Sequence, residues 1–269
     1  MSIMTNLIVS IFMIVFAGAM IWLFRYLGTL GQWRAPKNNL SNKAKLILNS
    51  KVSFYRALPV EEKKFFEFKV SEFLENVKIS GINISVNEAD GLLVAASAII
   101  PIFRFPDWQY LNVKEVLLYP DSFNEDFQTD DGRDASGIPD NIGMVGDGPL
   151  NDKMILSKPD LHWGFANEWD GTNVGIHEFV HLIDKSDGSV DGVPKLFLEK
   201  KYIIPWVGLI HKNMEEIFKG RSDINPYGSK DKTEFFAVVS EYFFENPEKF
   251  KAKHPELYEM LENMFRTKR

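Results

Sequence analysis

The chain contains no cysteine. This absence excludes disulfide bonds, zinc sites built from thiolates and cysteine nucleophiles. Any metal ion must therefore be held by histidine, aspartate or glutamate side chains. Histidine is also scarce, because only five occur among 269 residues. Two histidines placed close together in such a chain need a physical explanation.

An excess of positive charge is also absent. The 31 lysines and arginines are outnumbered by 37 aspartates and glutamates, which gives a formal net charge of −6. Nucleic-acid-binding domains usually present a basic face, so we expect no nucleic-acid partner. Hydrophobic residues make up 45% of the chain, which is enough for one sizeable domain or two small ones.

The N-terminal segment from Leu7 to Phe24 is apolar and carries no charge. A helix of this length nearly spans a bilayer core, and Trp22 and Tyr26 are placed to lie at the interface. Lysines and arginines follow the segment and none precedes it, which favours a cytoplasmic location for the rest of the chain. The sequence therefore predicts a single-pass protein of the inner membrane, anchored by residues 1–27 and contacting lipid through residues 7–24. A cleaved signal peptide and a cell-surface protein of reversed topology are the alternatives.

The remaining chain divides by composition and apolar periodicity. Residues 28–52 read as a juxtamembrane linker, and residues 53–269 as the main domain. Residues 121–151 are rich in Asp, Gly and Pro and indicate a long acidic loop. The predicted fold class is α+β, mostly helical, with a small sheet near the middle and one transmembrane helix in front. The predicted helices cover about 59–77, 88–102, 172–185, 195–218, 231–244 and 255 onwards, and the predicted strands cover 114–119 and 153–157.

Residues 177–181 read His-Glu-Phe-Val-His. On a helix, residues four apart lie on one face, so His177 and His181 can both reach one zinc ion at about 2.0–2.1 Å. Glu178 is rotated by about 100° from His177, so it can polarise a zinc-bound water without ligating the metal. The pattern predicts one Zn²⁺ ion, with His177 and His181 as metal ligands and Glu178 as a catalytic residue.

A catalytic zinc ion needs a third protein ligand and an open fourth position. Glu234 and Glu241 lie on one face of an otherwise apolar helix, where a buried carboxylate needs a strong partner. Asp231 and Glu234 also have the spacing of a capping box, so ligand and cap remain open alternatives for Glu234. Asp184 can instead accept a hydrogen bond from a ligand imidazole. The downstream candidates for the third ligand are Asp184, His211, Glu215, Glu216, Glu234, Glu241 and His254.

Two segments of the chain resemble a known family. These are HEFVHLID followed by GVP, and PYGSKDKTEFFAVVSEYFFENPEKF. They resemble the Mlc titration factor A (MtfA) family of zinc-dependent peptidases of the gluzincin type, over roughly residues 54–265. The spacing from Tyr227 to Glu234 also resembles the catalytic domain of the lethal-factor metallopeptidases. The resemblance implies a zincin-like metallopeptidase domain, here with an N-terminal membrane segment added.

The resemblance also implies roles for individual residues. His177, His181 and Glu234 match the three zinc ligands of the family. Glu178 matches the general base, and Tyr227 matches a tyrosine that faces the metal and stabilises the oxyanion. Family members have aminopeptidase-like activity on small substrates and bind a transcriptional repressor. We therefore expect a membrane-anchored zinc peptidase acting on peptides or proteins, or alternatively a repressor-sequestering protein in which the zinc is structural.

Overall fold

The structure is a computed structural model that describes residues 13, 15–23, 33–121, 143–145, 152–167 and 169–266. The chain separates into two compact units, Met1–Arg34 and Ala35–Arg269. Within the first unit, residues 15–23 are helical. Most of the predicted acidic loop at 121–151 lies outside the described residues.

The N-terminal prediction needs correction. Within the described part of the chain, every helix falls short of the length and apolar character that a bilayer crossing requires. This finding contradicts the predicted transmembrane helix over 1–27, lipid contact through 7–24 and inner-membrane localisation. Residues 7–12, 14 and 24 of the predicted span lie outside the described residues.

The second unit is mostly helical. Its helices are α1 (Asn42–Lys51), α2 (Ser53–Ala57), α3 (Val60–Asn76), α4 (Glu88–Ile102), α5 (Lys158–Ala166), α6 (Val174–Asp184), α7 (Lys200–Phe218), α8 (Lys232–Glu245), α9 (Pro247–Lys253) and α10 (Pro255–Phe265). Two short 3₁₀ turns, Lys185–Asp187 and Pro226–Ser229, follow α6 and precede α8 respectively. The strands are β1 (Lys78–Gly81), β2 (Glu115–Tyr119), β3 (Gly143–Val145) and β4 (Lys153–Ser157).

The four strands form one small sheet in the order β1-β2-β4-β3. Strands β1, β2 and β4 are parallel, and Val116 lies opposite both Ile79 and Met154. Strand β3 runs antiparallel to β4, with Met144 opposite Ile155. Parallel neighbours need a crossover connection, and α4 lies between β1 and β2 in the chain. Among the described strands, β3 therefore forms the outer edge beside β4.

The fold-class prediction, an α+β zincin-like domain preceded by one transmembrane helix, is wrong in its transmembrane helix. The described residues form a mostly helical unit with a small sheet, and none of their helices could span a membrane. Helix α1 occupies part of the predicted linker at 28–52. It forms because the Ser41 hydroxyl accepts the Ala44 N–H at 3.0 Å, and because Ala44 and Leu48 are buried. The domain boundary at residue 53 stays a prediction.

Helix α6 is held between two other helices, α4 and α8. Helix α4 is buried along nearly its whole length, which its Ala, Leu, Ile and Val side chains explain. It approaches α6 so closely that a Cβ atom on Gly175 would collide with the Ser97 hydroxyl. Helices α6 and α8 pack directly against each other. This packing brings the His-Glu-Phe-Val-His segment opposite the acidic face of α8.

Candidate metal centre

Helix α6 carries both predicted histidine ligands. Its N-cap residue is Asn173, whose side-chain oxygen accepts the Ile176 N–H at 3.1 Å. Phe179, one of several apolar side chains on this helix, is fully buried. The side chains of His177 and His181 are 12% and 16% exposed. Because the apolar residues bury the other faces, the histidines lie together at the accessible edge of the helix.

Three donor atoms converge at one point beside α6. The two Nε2 atoms of His177 and His181 are 3.0 Å apart. Glu234 Oε2, from α8, lies 3.0 Å from His177 Nε2 and 3.4 Å from His181 Nε2. Ligands bound to one ion at about 2.0–2.2 Å with tetrahedral angles are separated by about 3.3–3.5 Å. The three atoms are therefore spaced closely enough to bind a single metal ion.

Glu178 completes the group on the helix. A carboxylate oxygen of Glu178 and ring nitrogens of His177 and His181 all lie within 4.8 Å of one another. Burial raises the pKa of Glu178, and this effect outweighs the opposing influence of the two histidines. A buried carboxylate with a raised pKa beside a metal position is suited to accepting and returning a proton.

Glu241 fixes the orientation of His177. The His177 Nδ1–H donates to Glu241 Oε1 at 2.6 Å, and the backbone N–H of Asn173 donates to Glu241 Oε2 at 2.6 Å. An ionised carboxylate only accepts hydrogen bonds, so this contact places the proton on Nδ1. Once the second ring proton is lost, the Nε2 lone pair of His177 faces Glu234 and His181. The same carboxylate thus anchors both the ring and the start of α6.

The electrostatics of this group favour a cation. Burial lowers the pKa of His177, but the carboxylates of Glu241 and Glu234 outweigh it and raise that pKa well above its ordinary value. Burial would likewise raise the pKa of Glu234, yet contact with His177 and His181 lowers it. A negative potential that holds a proton here would equally attract a metal ion.

Glu234 lies at the start of α8, where a capping role was the alternative to a ligand role. Asp231 is the N-cap residue, and its Oδ1 accepts the backbone N–H groups of Thr233 and Glu234. The Glu234 side chain contacts the two histidines of α6. Because Asp231 satisfies the first N–H groups by itself, the geometry favours the ligand alternative.

Tyr227 approaches the same group from the 3₁₀ turn before α8. Its hydroxyl donates to Glu234 Oε1 at 3.2 Å, and its ring lies 6.2 Å from the His177 ring, centroid to centroid. The Asn225 side chain accepts the Tyr227 N–H and so starts the turn. Tyr227 is 42% exposed, so it lies at the surface beside the donor atoms.

The other predicted candidates lie outside this group. No direct hydrogen bond joins Asp184 to a ligand imidazole among the described residues, and Asp184 Oδ2 accepts the Gly192 N–H at 2.9 Å. Asp184 Oδ1 and His181 Nδ1 are both buried without a hydrogen-bond partner. Burial raises the pKa of Asp184 to about 6. Of the remaining candidates, His211 is exposed on α7. The other three form ion pairs elsewhere: Glu215 with Lys219, Glu216 with Arg221, and His254 with Asp223.

Two residues that contact this site, Asn173 and Lys230, were not identified by the sequence analysis. Asn173 caps α6 and also donates its Nδ2 hydrogen to Glu245 Oε1 at 3.0 Å. An asparagine directly before a predicted helix is a capping signal that could have identified it. Lys230 donates to the Tyr227 hydroxyl at 3.1 Å. Nothing in the local pattern distinguishes Lys230 from other surface lysines.

Several known proteins are similar in sequence to this chain. Among the similar proteins, an uncharacterized protein of Synechocystis sp. is 28% identical over 225 residues, covering 81% of this chain and 82% of its own length. Mlc titration factor A of Escherichia fergusonii is 28% identical over 221 residues, covering 77% and 80%. Mlc titration factor A of Pectobacterium atrosepticum is 32% identical over 163 residues, covering 56% and 58%. These matches confirm the resemblance to the MtfA family.

A family model covers nearly all of the second unit. The model described as glucose-regulated metallo-peptidase M90 matches residues 30–266. A metallopeptidase family implies a metal ion, and the group formed by His177, Glu178 and His181 could bind one. The chain therefore belongs to the glucose-regulated metallo-peptidase M90 family.

Proposed function

We propose that this protein is a zinc-dependent peptidase in which His177, His181 and Glu234 hold the ion. The observation that carries the proposal is the convergence of their three donor atoms at 3.0, 3.0 and 3.4 Å. Family membership supports it independently. Two imidazoles and one carboxylate form a ligand set that suits zinc, and three protein ligands leave a position for water.

The chemistry divides between the ion and the protein. When bound, zinc lowers the pKa of a coordinated water toward about 7 and polarises the substrate carbonyl. Glu178 accepts a proton as the water oxygen forms its bond to the carbonyl carbon. The Tyr227 hydroxyl donates a hydrogen bond to the oxygen that becomes negatively charged. The C–N bond then breaks, and Glu178 returns the proton to the leaving amine nitrogen.

We also place the peptide substrate along β3. This strand pairs with β4 on one side, lies at the end of the sheet among the described strands, and contacts α6. An extended peptide can add to a sheet edge through backbone hydrogen bonds. A peptide bound there would run past the helix that carries the histidines. Aminopeptidase-like specificity is inferred from the family resemblance alone, and matched peptides with free and acetylated N-termini would test it.

A regulator-binding protein with a structural zinc ion is the second candidate. The name of the relatives, Mlc titration factor A, is the observation that favours it. A structural zinc site is normally closed by four protein ligands. Here three donor atoms converge, and a buried carboxylate with a raised pKa lies beside them. These features favour catalysis over a purely structural site.

The proposal is tested on the full-length chain by metal analysis and hydrolysis of a peptide library. Glu178→Gln should retain zinc and lose hydrolysis by roughly 10²–10⁴-fold, because the proton acceptor is removed while the ligands remain. His181→Ala should lose the metal as well. Hydrolysis at the wild-type rate by Glu178→Gln would refute this mechanism. Metal-free wild-type protein would refute the zinc site.

A further inference from the structure

Lys230 lies at the rim of the candidate metal centre, between the 3₁₀ turn Pro226–Ser229 and α8. Its ammonium nitrogen is 3.1 Å from the Tyr227 hydroxyl and 3.8 Å from Glu234 Oε1. The same nitrogen lies 5.0 Å from the centroid of the Tyr227 ring. The hydrolytic mechanism above uses Tyr227 and Glu234, but it assigns no role to this positive charge.

The charge of Lys230 is only weakly compensated by the described side chains. A tight pair between an ammonium and a carboxylate has a separation of about 2.7–2.9 Å, so the contact with Glu234 at 3.8 Å is long. The other oxygen of Glu234 faces the two histidines. Asp231, the neighbouring acid, accepts backbone N–H groups at the start of α8.

Lys230 is also accessible. Its side chain is 58% exposed, so a ligand can reach it from solvent. An ammonium carries three N–H donors, and the contact with the Tyr227 hydroxyl uses one of them. The hydroxyl fixes the ammonium beside the position at which the mechanism places the scissile carbonyl oxygen. A negatively charged substrate group could therefore contact Lys230 directly.

We propose that Lys230 is a specificity-determining residue that binds a substrate carboxylate on the residue next to the scissile bond. The inference rests on the proposed peptidase function and names its substrate class: peptides that are negatively charged at this position. Successive residues are about 3.8 Å apart between Cα atoms, so such a carboxylate falls within reach of an ammonium held beside Tyr227. The carboxylate is either the C-terminus of the peptide or an aspartate or glutamate side chain.

The test compares peptides that differ only in charge. One pair is Ala-Ala and its C-terminal amide, and the other is Ala-Glu-amide and Ala-Gln-amide, so that the charge always lies on the residue next to the cleaved bond. The full-length zinc-loaded protein should cleave the charged member of at least one pair with kcat/KM about 5- to 10-fold higher. The pair that shows the preference identifies the source of the carboxylate.

Variants then assign the preference to Lys230. Lys230→Met should abolish it and Lys230→Glu should invert it, since the attractive charge is removed or reversed. Lys64→Met is the matched control, because Lys64 is 65% exposed and pairs with Glu61 on α3. This control should keep the preference. A preference that survives in Lys230→Met, or an equal loss of rate on all four peptides, would overturn the proposal.

A binding measurement separates this proposal from the proposed function. Acetyl-Glu-amide and acetyl-Gln-amide are titrated into zinc-loaded Glu178→Gln protein, with and without Lys230→Met. Tighter binding of the glutamate compound that is lost with Lys230→Met supports the carboxylate site, even if the wild-type protein hydrolyses no peptide. Equal binding of the two compounds, together with metal-dependent hydrolysis that shows no charge preference, would leave the peptidase intact and refute the role of Lys230.

Discussion

Two histidine–carboxylate groups in this protein join helices, and they differ in where the positive charge comes from. In the first, which we name the Asp90 cluster (Asp90, Lys158 and His162), the carboxylate of Asp90 is 2.7 Å from His162 Nε2 and 2.8 Å from Lys158 Nζ. In the candidate metal centre, two histidine nitrogens and one carboxylate oxygen face one another at 3.0–3.4 Å. The chain thus supplies its own cation to the first group.

The polar side-chain atoms of the two groups also differ in their hydrogen-bond and ion-pair partners. Asp90 is fully buried, and besides Lys158 it accepts the backbone N–H of Asn87 at 2.7 Å as part of a capping box on α4. Its contacts are those of a structural ion pair. In the metal centre two imidazole nitrogens and one carboxylate oxygen face one another at 3.0–3.4 Å, so a ring proton or a metal ion must lie between them. A lysine 2.8 Å away compensates the charge of Asp90, whereas Lys230 approaches Glu234 only to 3.8 Å, which leaves the metal centre more open to a cation from solution.

The largest expected difference between the groups is in metal binding. Glu234→Ala removes one of three proposed ligands, so zinc affinity should fall by more than about 100-fold. Asp90→Asn is the matched control and should keep the wild-type metal content. Metal analysis after dialysis against a chelator measures both. Full metal retention by Glu234→Ala would mean that another carboxylate, such as Glu178, is the third ligand.

The next effect separates catalysis from metal binding. Tyr227→Phe removes the hydroxyl proposed to stabilise the oxyanion, so kcat should fall by roughly 10²–10³-fold. Zinc content should be unchanged, because the phenol is not among the proposed ligands. Steady-state hydrolysis with parallel metal analysis checks this. An unchanged kcat would assign Tyr227 to the support of Glu234 alone.

A smaller effect is expected at the carboxylate behind the metal centre. Glu241→Gln weakens the hydrogen bond to His177 Nδ1, so zinc affinity should fall by about 10- to 100-fold. The control is Asp223→Asn, which alters the partner of His254, 2.8 Å away. Competition with a chromophoric chelator measures the affinities. If the two variants bind zinc equally well, Glu241 has no role in orienting the ligand.

The smallest effect concerns stability and belongs to the Asp90 cluster. Burial raises the pKa of Asp90, but the hydrogen bonds from Asn87 and Lys158 outweigh it and place the pKa below its ordinary value of 3.8. A group with a depressed folded pKa stabilises the fold above its unfolded pKa, and this contribution is lost as the pH falls through the folded pKa. Asp90→Asn should therefore lower the free energy of unfolding by about 2–4 kcal/mol at pH 7.

The same reasoning predicts how that difference depends on pH. Below the unfolded pKa of 3.8 the wild type progressively loses its advantage over Asp90→Asn. Urea denaturation of both metal-free proteins at pH 5, 3.5 and 2.5 measures the change. A difference that stays constant over this range would mean that Asp90 acts through packing and neutral hydrogen bonds.

Local patterns predicted several elements well because their signals are short-range. The helix predicted at 88–102 is confirmed as α4, whose start is fixed by Asn87 and Asp90. The strand predicted at 153–157 is confirmed as β4. Strand β1 was missed, because its four residues are too few to show an alternating pattern. The membrane prediction is wrong for the described residues, because none of their helices has the length and apolar character that a membrane span requires.

The sequence by itself determined that His177 and His181 share one face of a helix with Glu178 beside them, because helical periodicity is a local property. It also determined that no thiolate could serve as a ligand. Only the tertiary structure decided which distant acid meets the histidines, since Glu234 reaches them through the packing of α8 on α6. Glu241 lies about two turns further along α8 and contacts His177. Sequence spacing carries no information on such contacts until the core has brought the helices together.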